Sequence, residues 1–353
     1  MRELLRLEKI PVYQNKMFDT AESARACARG DVVLSQDPLT GIVSNIAFDS
    51  GKLDYDEKYQ NEQSYSRIFQ QHLSQVQAII EKHFSTTHIL EIGCGKGVFL
   101  EQLRNTGMDV RGIDPAYEGD APYIIKENFT PALGIQGDAI VMRHVLEHIS
   151  QPLDFLETVL QANLGKGLIY IEVPCLEWIL DNQAWFDIFY EHVNYFRHAD
   201  FRKIFGTILE SGHLFGGQYL YVVADLASLR RPKSQIGPQE AVSIPENFFA
   251  GIERYKTGSK SAIQRVVWGA GAKGVMFSSH MLAQGVTLDF AIDISPAKQG
   301  KIVAASALQV FSPQVGIGKL SPGSDIFVMN SNYLHEIKTL AGSIFNYISV
   351  DKT

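Results

Sequence analysis

The chain has 353 residues, of which 45% are hydrophobic and 20% charged, and its formal net charge is −7 at pH 7. This length predicts more than one domain. The acidic balance, with no marked cluster of Lys and Arg, argues against a nucleic-acid partner. The sequence contains no apolar run of the roughly 20 residues that a membrane span needs. With three scattered cysteines and no signal-peptide core, we expect a cytoplasmic protein without disulfides.

The first elements in chain order are short. In residues 1–65, apolar stretches alternate with Gly, Asp and Pro, which predicts short strands and turns. Residues 66–84 repeat apolar side chains at helical spacing and predict an amphipathic helix. Beyond them, apolar runs alternate with helical stretches, which favours a parallel, doubly wound α/β sheet. The predicted strands are 88–92, 109–113, 123–126, 139–142, 168–173 and 218–226, and the predicted helices are 98–105 and 154–164.

A segment with three prolines, residues 227–246, marks a boundary, after which the strand–helix pattern restarts. We therefore divide the chain into an N-terminal accessory segment (1–65), a Rossmann-like domain (66–228) and a second, smaller Rossmann-like domain (229–353). The strands predicted for the last domain are 265–268, 288–292 and 325–329.

The most informative stretch follows the first strand of the larger domain and reads Glu91-Ile-Gly93-Cys-Gly95-Lys-Gly97. Glycine is needed where a ligand approaches the backbone, and the helix that follows offers free N–H groups. Asp114 ends the next strand, where a carboxylate can bind both hydroxyls of a ribose. The acidic residue before the glycines departs from the dinucleotide fingerprint and resembles motif I of class I methyltransferases, which bind S-adenosyl-L-methionine.

In that family the acidic residue, here Glu91, lies near the methionine end of the donor. Folds of this kind often place an acidic or amide side chain after the third strand, which nominates Glu127 or Asn128 for the adenine contact. A solvated loop is the alternative interpretation of these two residues.

Two polar clusters follow the fourth and fifth strands, and both are expected to line an acceptor cleft. They are Arg143-His144-Val-Leu-Glu147-His148 and Phe189-Tyr190-Glu191-His192. A histidine beside a glutamate can act as a general base near neutral pH. A structural role for His144, and for the aromatic residues of the second cluster, is the alternative. The first cluster also matches the H-x-x-E-H pattern of zinc hydrolases, but it begins at a strand end instead of within a helix.

The ordered set of motifs resembles the three-part methyltransferases related to the sugar C-methyltransferases of antibiotic deoxysugar pathways. The likeness covers nearly the whole chain. It is carried by residues 10–15, 91–97, 143–149, 172–174, 190–192, 195–196, 216–218, 268–274 and 293–300.

This resemblance implies that Glu191 and His192 form the catalytic centre, with His148 and a tyrosine of the N-terminal segment nearby. Tyr59 is the first candidate for that tyrosine, and Tyr65 is the second. The implied reaction is C-methylation of a keto-deoxysugar nucleotide, in which His192 removes a proton next to the keto group. The expected partner is a small-molecule acceptor, and the protein is expected to be a monomer or homodimer.

Two departures from the family pattern bear on these expectations. Asp37 and Thr40 stand where one pair of zinc-binding cysteines would fall, so we predict no zinc and no other metal. Phe189 stands where the sugar enzymes tend to carry a tyrosine, for which Tyr190 is the possible substitute. An O- or N-methyltransferase acting on a non-sugar natural-product intermediate therefore stays open.

A second glycine-rich turn, Gly269-Ala-Gly271-Ala-Lys273-Gly274, follows a predicted strand, and Asp293 ends the next one. Taken alone, this pattern predicts an NAD-dependent oxidoreductase. The resemblance instead assigns this unit to closing the acceptor cleft, where Lys273 and Lys298 are candidates for meeting a phosphate group. A catalytically inert module that only senses the donor is the third alternative.

Overall fold

The computed structural model describes residues 2–53, 64–84, 88–257 and 263–351. The strands are β1 (Glu3–Pro11), β2 (Arg29–Gln36), β3 (Val43–Asn45), β4 (Ile89–Ile92), β5 (Val110–Ile113), β6 (Ile124–Ile125), β7 (Ala139–Arg143), β8 (Leu168–Pro174), β9 (Asn194–Tyr195), β10 (Ile208–Leu214), β11 (Tyr219–Asp225), β12 (Arg265–Trp268), β13 (Phe290–Ile292), β14 (Val310–Phe311), β15 (Asp325–Val328) and β16 (Asn346–Ser349). The helices are α1 (Ala21–Arg25), α2 (Arg67–Phe84), α3 (Val98–Asn105), α4 (Pro152–Ala162), α5 (Leu176–Asp181), α6 (His198–Ile204), α7 (Gly251–Thr257), α8 (Ala272–Ala283), α9 (Pro313–Lys319) and α10 (Leu334–Ala341).

The central sheet has seven strands in the order β10-β11-β8-β7-β4-β5-β6. Strands β4 to β8 run parallel to one another, while β11 pairs antiparallel with both β8 and β10. The parallel strands are almost continuous buried apolar runs because helices cover both faces of the sheet. The predicted α/β fold is confirmed, and all six predicted strands lie within two residues of their expected bounds.

The order of this sheet reverses between β4 and β7, because β4 is followed along the chain by β5 on one side and by β7 on the other. In doubly wound sheets, ligands bind beyond the carboxyl ends of the strands at such a reversal. Glu91, Asp114 and Arg143 lie in or directly after β4, β5 and β7, so the topology brings them to one edge.

The N-terminal sheet has the order β1-β2-β3-β9, and its last strand comes from the middle of the chain. Val43 of β3 pairs with Tyr195 of β9, three residues after His192 of the second polar cluster. The nine-residue strand β1 was not predicted, because Arg6, Glu8 and Lys9 interrupt its apolar pattern. The accessory segment therefore forms a sheet with the larger domain.

The C-terminal sheet is fully parallel, with the order β14-β13-β12-β15-β16. The three predicted strands are confirmed as β12, β13 and β15. One hydrophobic core joins this sheet to the other two units, and it includes Val32 of β2, Trp185 of the larger domain and Phe277 of α8. Within the described ranges, none of the helices has the length and apolar character that crossing a membrane requires.

Candidate functional site

The glycine turn after β4 runs in left-handed backbone conformation, with φ of +77° at Gly93, +56° at Gly95 and +78° at Gly97. Such φ values favour glycine because L side chains rarely adopt them. A Cβ on Gly93 would lie 2.2 Å from a methyl carbon of Val145, whereas a Cβ on Gly95 would meet no atom of the described residues within 4 Å. Packing therefore requires glycine at the first position, while the second faces open space at the sheet edge.

Asp114 lies against this turn at the end of β5, as the sequence predicts. One of its carboxylate oxygens accepts the Gly95 N–H at 2.7 Å, and the other accepts the Ala116 N–H at 2.8 Å. The side chain is half-buried. A carboxylate is thus held at the open side of Gly95.

Glu91 points from β4 into the same region and is 2% exposed. Its Oε2 atom is buried and has no hydrogen-bond partner among the described residues. Burial raises the pKa of Glu91 to about 7, although Arg143 opposes the increase and Asp114 adds to it. A buried carboxylate oxygen without a partner is costly in a protein, and a positively charged ligand group would supply the missing partner.

Arg143, at the end of β7, carries the complementary feature. Its Nε is buried without a hydrogen-bond acceptor among the described residues, while its guanidinium lies 4.5 Å from the centre of the Phe99 ring and one Nη is 3.4 Å from Glu172. Glu91 and Arg143 therefore offer one free acceptor and one free donor. An α-amino acid end, with its ammonium and carboxylate groups, fits that pair of charges.

Glu127 and Asn128 follow β6 and are both exposed. The described contacts give neither residue a partner that would orient it toward the glycine turn. Their role at the adenine stays a prediction.

The two polar clusters meet at the carboxyl ends of β7 and β8, as the sequence predicts. The rings of His148 and His192 lie 5.0 Å apart, centre to centre, at a steep angle. His148 Nδ1 donates to the Glu191 carbonyl oxygen at 2.8 Å, which leaves its Nε2 as the base. Burial lowers the pKa of both histidines; that of His192 is held well below its ordinary value, with a further contribution from His148. Both imidazoles are therefore neutral at neutral pH.

Glu191 contacts the N-terminal segment. Its carboxylate accepts the backbone N–H of Gln14 at 2.8 Å, and its own N–H bonds to the Gln14 side chain. The residue is 1% exposed. Glu191 therefore binds the N-terminal segment, and its pairing with His192 stays a prediction.

Tyr190 is likewise occupied by the N-terminal segment. Its hydroxyl accepts the Asp49 N–H at 2.9 Å and donates to the Asp49 carbonyl at 3.2 Å, and its ring packs against Gly30. The expected substitute tyrosine therefore lies in the interface instead of the cleft. Tyr59 lies outside the described residues, and Tyr65 is 50% exposed.

Glu147 is the carboxylate that the structure brings to the two histidines. It is completely buried, and its Oε2 has no hydrogen-bond partner among the described residues. One of its oxygens and a ring nitrogen from each of His148 and His192 lie within 4.8 Å of one another. Glu147 belongs to the first polar cluster, but the sequence predicted no separate role for it. Its position three residues after His144 was the available signal, since a short 3-10 turn places it beneath the histidines.

A second buried network adjoins this group and is centred on Glu172 of β8. The same Glu172 oxygen bonds His72 at 2.9 Å and His144 at 3.0 Å, and Tyr170 donates to the other oxygen at 2.7 Å. Burial lowers the pKa of His144, but hydrogen bonds to Glu147 and Glu172 outweigh it and raise the pKa to about 9. His144 is therefore a cation at neutral pH. It also adopts φ +54°, a strained conformation often found at functional sites.

The second glycine turn reproduces the hydrogen bonds of the first. Asp293, after β13, accepts the Ala270 N–H at 2.7 Å and the Ser295 N–H at 2.8 Å. A Cβ on Gly271, however, would lie 3.1 Å from Lys298 Nζ and 3.3 Å from the Asn15 side-chain oxygen. Because protein side chains fill the space beside Gly271, the geometry does not favour a bound dinucleotide.

The smaller domain contacts the larger one through a network of polar side chains. Lys273 forms an ion pair with Asp187 at 2.8 Å and donates to Gln218 at 3.1 Å, and Gln218 exchanges two hydrogen bonds with Asn330. Lys298 is 4.0 Å from Asp293. Both lysines that the sequence offered for a phosphate group thus have carboxylate neighbours.

Three groups of described residues bring potential metal ligands together: His72, His144 and Glu172; Glu147, His148 and His192; and Cys175, Glu177 and His213. Asp37 and Thr40 stand where the family has one pair of zinc-binding cysteines. The Asp37 carboxylate accepts three hydrogen bonds, from the Leu39 N–H and from the N–H and hydroxyl of Thr40. Hydrogen bonds therefore stabilise this turn.

Comparison with known proteins agrees with this geometry. Residues 58–207 match the family described as methyltransferase domain. The chain is 25% identical over 296 residues to the C-methyltransferase NovU of Streptomyces niveus, an alignment that covers 70% of this chain and 67% of NovU. It is 30% identical over 104 residues to the mitochondrial ubiquinone biosynthesis O-methyltransferase of Schizosaccharomyces pombe, covering 25% of this chain and 38% of that enzyme.

Solved structures with partial similarity include a SAM-dependent methyltransferase from Archaeoglobus fulgidus, at 17% identity and a TM-score of 0.33, covering 43% of this chain and 94% of that one. Another is magnesium protoporphyrin IX methyltransferase from Synechocystis with bound SAH, at 19% identity and a TM-score of 0.36, covering 47% and 89% of the two chains.

The family match falls on the part of the chain that holds the glycine turn, the carboxylates Glu91 and Asp114, and both histidines. Open space beside Gly95 and the unpartnered buried atoms of Glu91 and Arg143 fit a nucleoside that carries an amino acid end. Residues 58–207 are therefore similar to methyltransferase domains, and S-adenosyl-L-methionine is the cofactor that fits the residues of this site.

Proposed function

We propose that the protein methylates a carbon atom next to a carbonyl group of a small-molecule acceptor, with His192 as the general base. The observation that carries this proposal is the neutral pair of histidines, 5.0 Å apart, at the carboxyl ends of the strands beside the donor turn. The C-methyltransferase NovU supports carbon as the site, because its alignment covers 70% of this chain and so extends beyond the methyltransferase domain. A keto-sugar nucleotide is the acceptor that the family resemblance suggests.

The donor is held by the residues around the first glycine turn. Asp114 is placed to accept hydrogen bonds from the ribose hydroxyls, and Gly95 leaves room for the nucleoside. Glu91 and Arg143 bind the ammonium and carboxylate of the amino acid end. When bound, the donor supplies a methyl group that its positively charged sulfur makes electrophilic.

The protein's own contribution is to remove a proton in a cleft that excludes water. His192 Nε2 takes the proton from the acceptor carbon, and the electron pair of that C–H bond passes into the adjacent carbonyl. The Glu147 carboxylate, beside both rings, stabilises the imidazolium that forms. The hydrogen bond from His148 to the Glu191 carbonyl fixes the ring that packs against His192. Alignment of acceptor and donor in a dry site accounts for much of the remaining rate enhancement.

Oxygen methylation is the second candidate, since two ubiquinone biosynthesis O-methyltransferases are 30% and 32% identical to this chain. These alignments span about a quarter of this chain and 40% or less of each enzyme. The same base would then remove a hydroxyl proton. The two routes differ in whether a C–H bond of the acceptor is broken.

Incubation of keto acceptors with the enzyme in heavy water, without donor, separates the routes. We expect deuterium at the acceptor carbon, measured by mass spectrometry, with wild type and not with His192→Ala. Donor-dependent methylation with no deuterium uptake would overturn the carbon route.

His192→Ala should lower turnover by about 100-fold or more while donor affinity stays within about twofold.

The partner of His192 is tested with two glutamate variants. Glu147→Gln should lower turnover about tenfold and shift its pH profile, because the amide cannot stabilise an imidazolium. Glu191→Gln retains an oxygen that can accept the Gln14 N–H, so it serves as the matched control with nearly normal turnover. A larger loss for Glu191→Gln than for Glu147→Gln would contradict this assignment.

A further inference from the structure

A cysteine, a glutamate and a histidine lie close together toward the β10 end of the strand order, whereas the glycine turn follows β4. Cys175 directly precedes α5, Glu177 lies in the first turn of α5, and His213 lies near the end of β10. The Cys175 sulfur is 3.5 Å from His213 Nε2 and 3.6 Å from Glu177 Oε2. The three ligand atoms all lie within 4.8 Å of one another.

These separations are those of a tetrahedral metal site. With Zn–S of about 2.3 Å and Zn–N or Zn–O of about 2.0–2.2 Å, the sulfur lies roughly 3.5–3.7 Å from the other ligand atoms. Both measured distances, 3.5 and 3.6 Å, fall in that range. We propose that Cys175, Glu177 and His213 bind a zinc ion.

His198 adds a second feature to the same place. Its ring lies 4.6 Å from the His213 ring, centre to centre, and its Nε2 is buried without a hydrogen-bond partner among the described residues. Three protein ligands leave one coordination position for water or for a fourth side chain. A rotation of His198 would bring its free nitrogen toward that position.

The arrangement does not match a nucleophilic triad. In such a triad the carboxylate orients the histidine that activates the nucleophile. Here Glu177 contacts the sulfur of Cys175 instead, and that sulfur belongs to a completely buried residue. Three potential ligand atoms within 4.8 Å of one another suit an ion, and the exposed His213 gives the ion a path from solvent.

The other two clusters are poorer metal sites. In the Glu172 cluster, both histidines already bond one carboxylate oxygen, and Arg143 places a positive charge 3.4 Å from that same atom. The cluster of Glu147, His148 and His192 lacks a thiolate and lies at the proposed reaction site. Cys175 therefore distinguishes the third group chemically, since thiolate ligands favour zinc.

An ion at this site would connect β8 and α5 to β10. The next residue of α5, Trp178, packs against Gly217 and lies 5.2 Å from the ammonium of Lys273 in the smaller domain. Metal binding would thus stabilise the wall on which the smaller domain docks. From the sequence we predicted no metal, because the N-terminal segment lacks the paired cysteines of the family. The ligands proposed here are instead of three residue types and come from two separate elements.

The test uses the full chain after treatment with a chelator, followed by titration with Zn²⁺ and with Co²⁺ as a spectroscopic probe. We expect one zinc per chain by elemental analysis and a thiolate-to-cobalt charge-transfer band. Cys175→Ser should abolish that band and weaken zinc binding by at least about 100-fold, since even loss of a residue that only supports a ligand costs 10–100-fold.

Matched controls are Cys27→Ser, which removes another buried thiol, and His335→Ala, which removes an exposed histidine of the smaller domain. Both should bind zinc as wild type does. His213→Ala, at an exposed position where misfolding is a small risk, should lose binding as Cys175→Ser does. Absence of the cobalt band, or zinc binding that persists in Cys175→Ser, would overturn the proposal.

Discussion

Both Rossmann-like units of this chain carry a glycine-rich turn after their first strand, and in both an aspartate from the next strand accepts a backbone N–H of that turn. Asp114 bonds Gly95 at 2.7 Å, and Asp293 bonds Ala270 at the same distance. The space beside the turns differs, because within the described part of the chain no atom lies within 4 Å of a Cβ built on Gly95, whereas Lys298 and Asn15 lie beside Gly271. An aspartate at this position is thus a structural feature of the strand–turn–helix unit.

The acidic residue before the glycines is the second difference between the turns. Glu91 stands two residues before Gly93, and the corresponding position before Gly269 is Val267. The first turn therefore has a buried carboxylate without a partner, and the second has an apolar side chain that completes the core. Free space together with unpartnered polar atoms identifies a ligand site better than the glycine pattern does.

The largest effect that would sharpen this comparison is expected from removing each aspartate in turn. Asp114→Ala should weaken donor binding about 100-fold, because hydrogen bonds to a charged group contribute about 1.5–3 kcal/mol each. Asp293→Ala should leave donor affinity within about twofold and lower the free energy of unfolding by about 1–3 kcal/mol. Calorimetric titration and denaturant unfolding measure the two quantities. Equal donor affinities for the two variants would remove the distinction between the turns.

A smaller effect is expected from adding a methyl group to each turn. Gly95→Ala places a Cβ in the open space that we assign to the donor, and it should weaken donor binding about tenfold, with about 1–2 kcal/mol of backbone strain at φ +56°. The φ of Gly271 is not positive, and the Cβ that Gly271→Ala adds would meet the flexible end of the Lys298 side chain. It should change donor affinity little. Tighter donor binding by Gly95→Ala would show that the open space has another purpose.

A third effect, of similar size, is a pH dependence that only the first turn should show. The pKa of Glu91 is about 7 in the folded protein, so a cationic donor should bind more tightly as pH rises from 6 to 8 and the carboxylate ionises. The expected gain in affinity is about tenfold. Glu91→Gln should flatten this profile, and calorimetry at several pH values measures it. A profile unchanged by the substitution would contradict the role of Glu91.

The same residue links pH to stability with the opposite sign. Because the folded pKa of Glu91 lies above its ordinary value of 4.5, the unfolded chain releases this proton first as pH rises from about 4.5 to 7. The contribution of this group to stability is therefore lost over that range. At pH 8, Glu91→Gln should raise the free energy of unfolding of the donor-free protein by about 1–3 kcal/mol.

Much of the fold could be predicted because parallel strands buried on both faces are continuous apolar runs, as in β4 and β7. Strand β10 was missed because its side chains alternate between more and less exposed, with Glu210 and His213 among them. Strand β9 has two residues, and its pairing with β3 depends on segments about 150 positions apart, which local patterns do not report.

The donor site was more predictable than the acceptor site for a physical reason. Glycines and a carboxylate at strand ends are local features whose geometry follows from the strand–turn–helix unit. The partner of His192 depends instead on which way each residue of a turn points. Glu191 binds Gln14 of the N-terminal segment, and the buried Glu147, from a different strand end, lies beside His192.

Strand β9 also determines how this enzyme can be cut or recombined. The turn that carries His192 is held by Gln14 and Asp49 of the first fifty residues and continues directly into a strand of their sheet. Residues 66–228 alone would retain the complete donor site but lose the hydrogen bonds that orient the base. Such a fragment should bind S-adenosyl-L-methionine without transferring its methyl group. A chimaera intended to change acceptor preference must therefore exchange the N-terminal sheet and the 184–196 region as one piece.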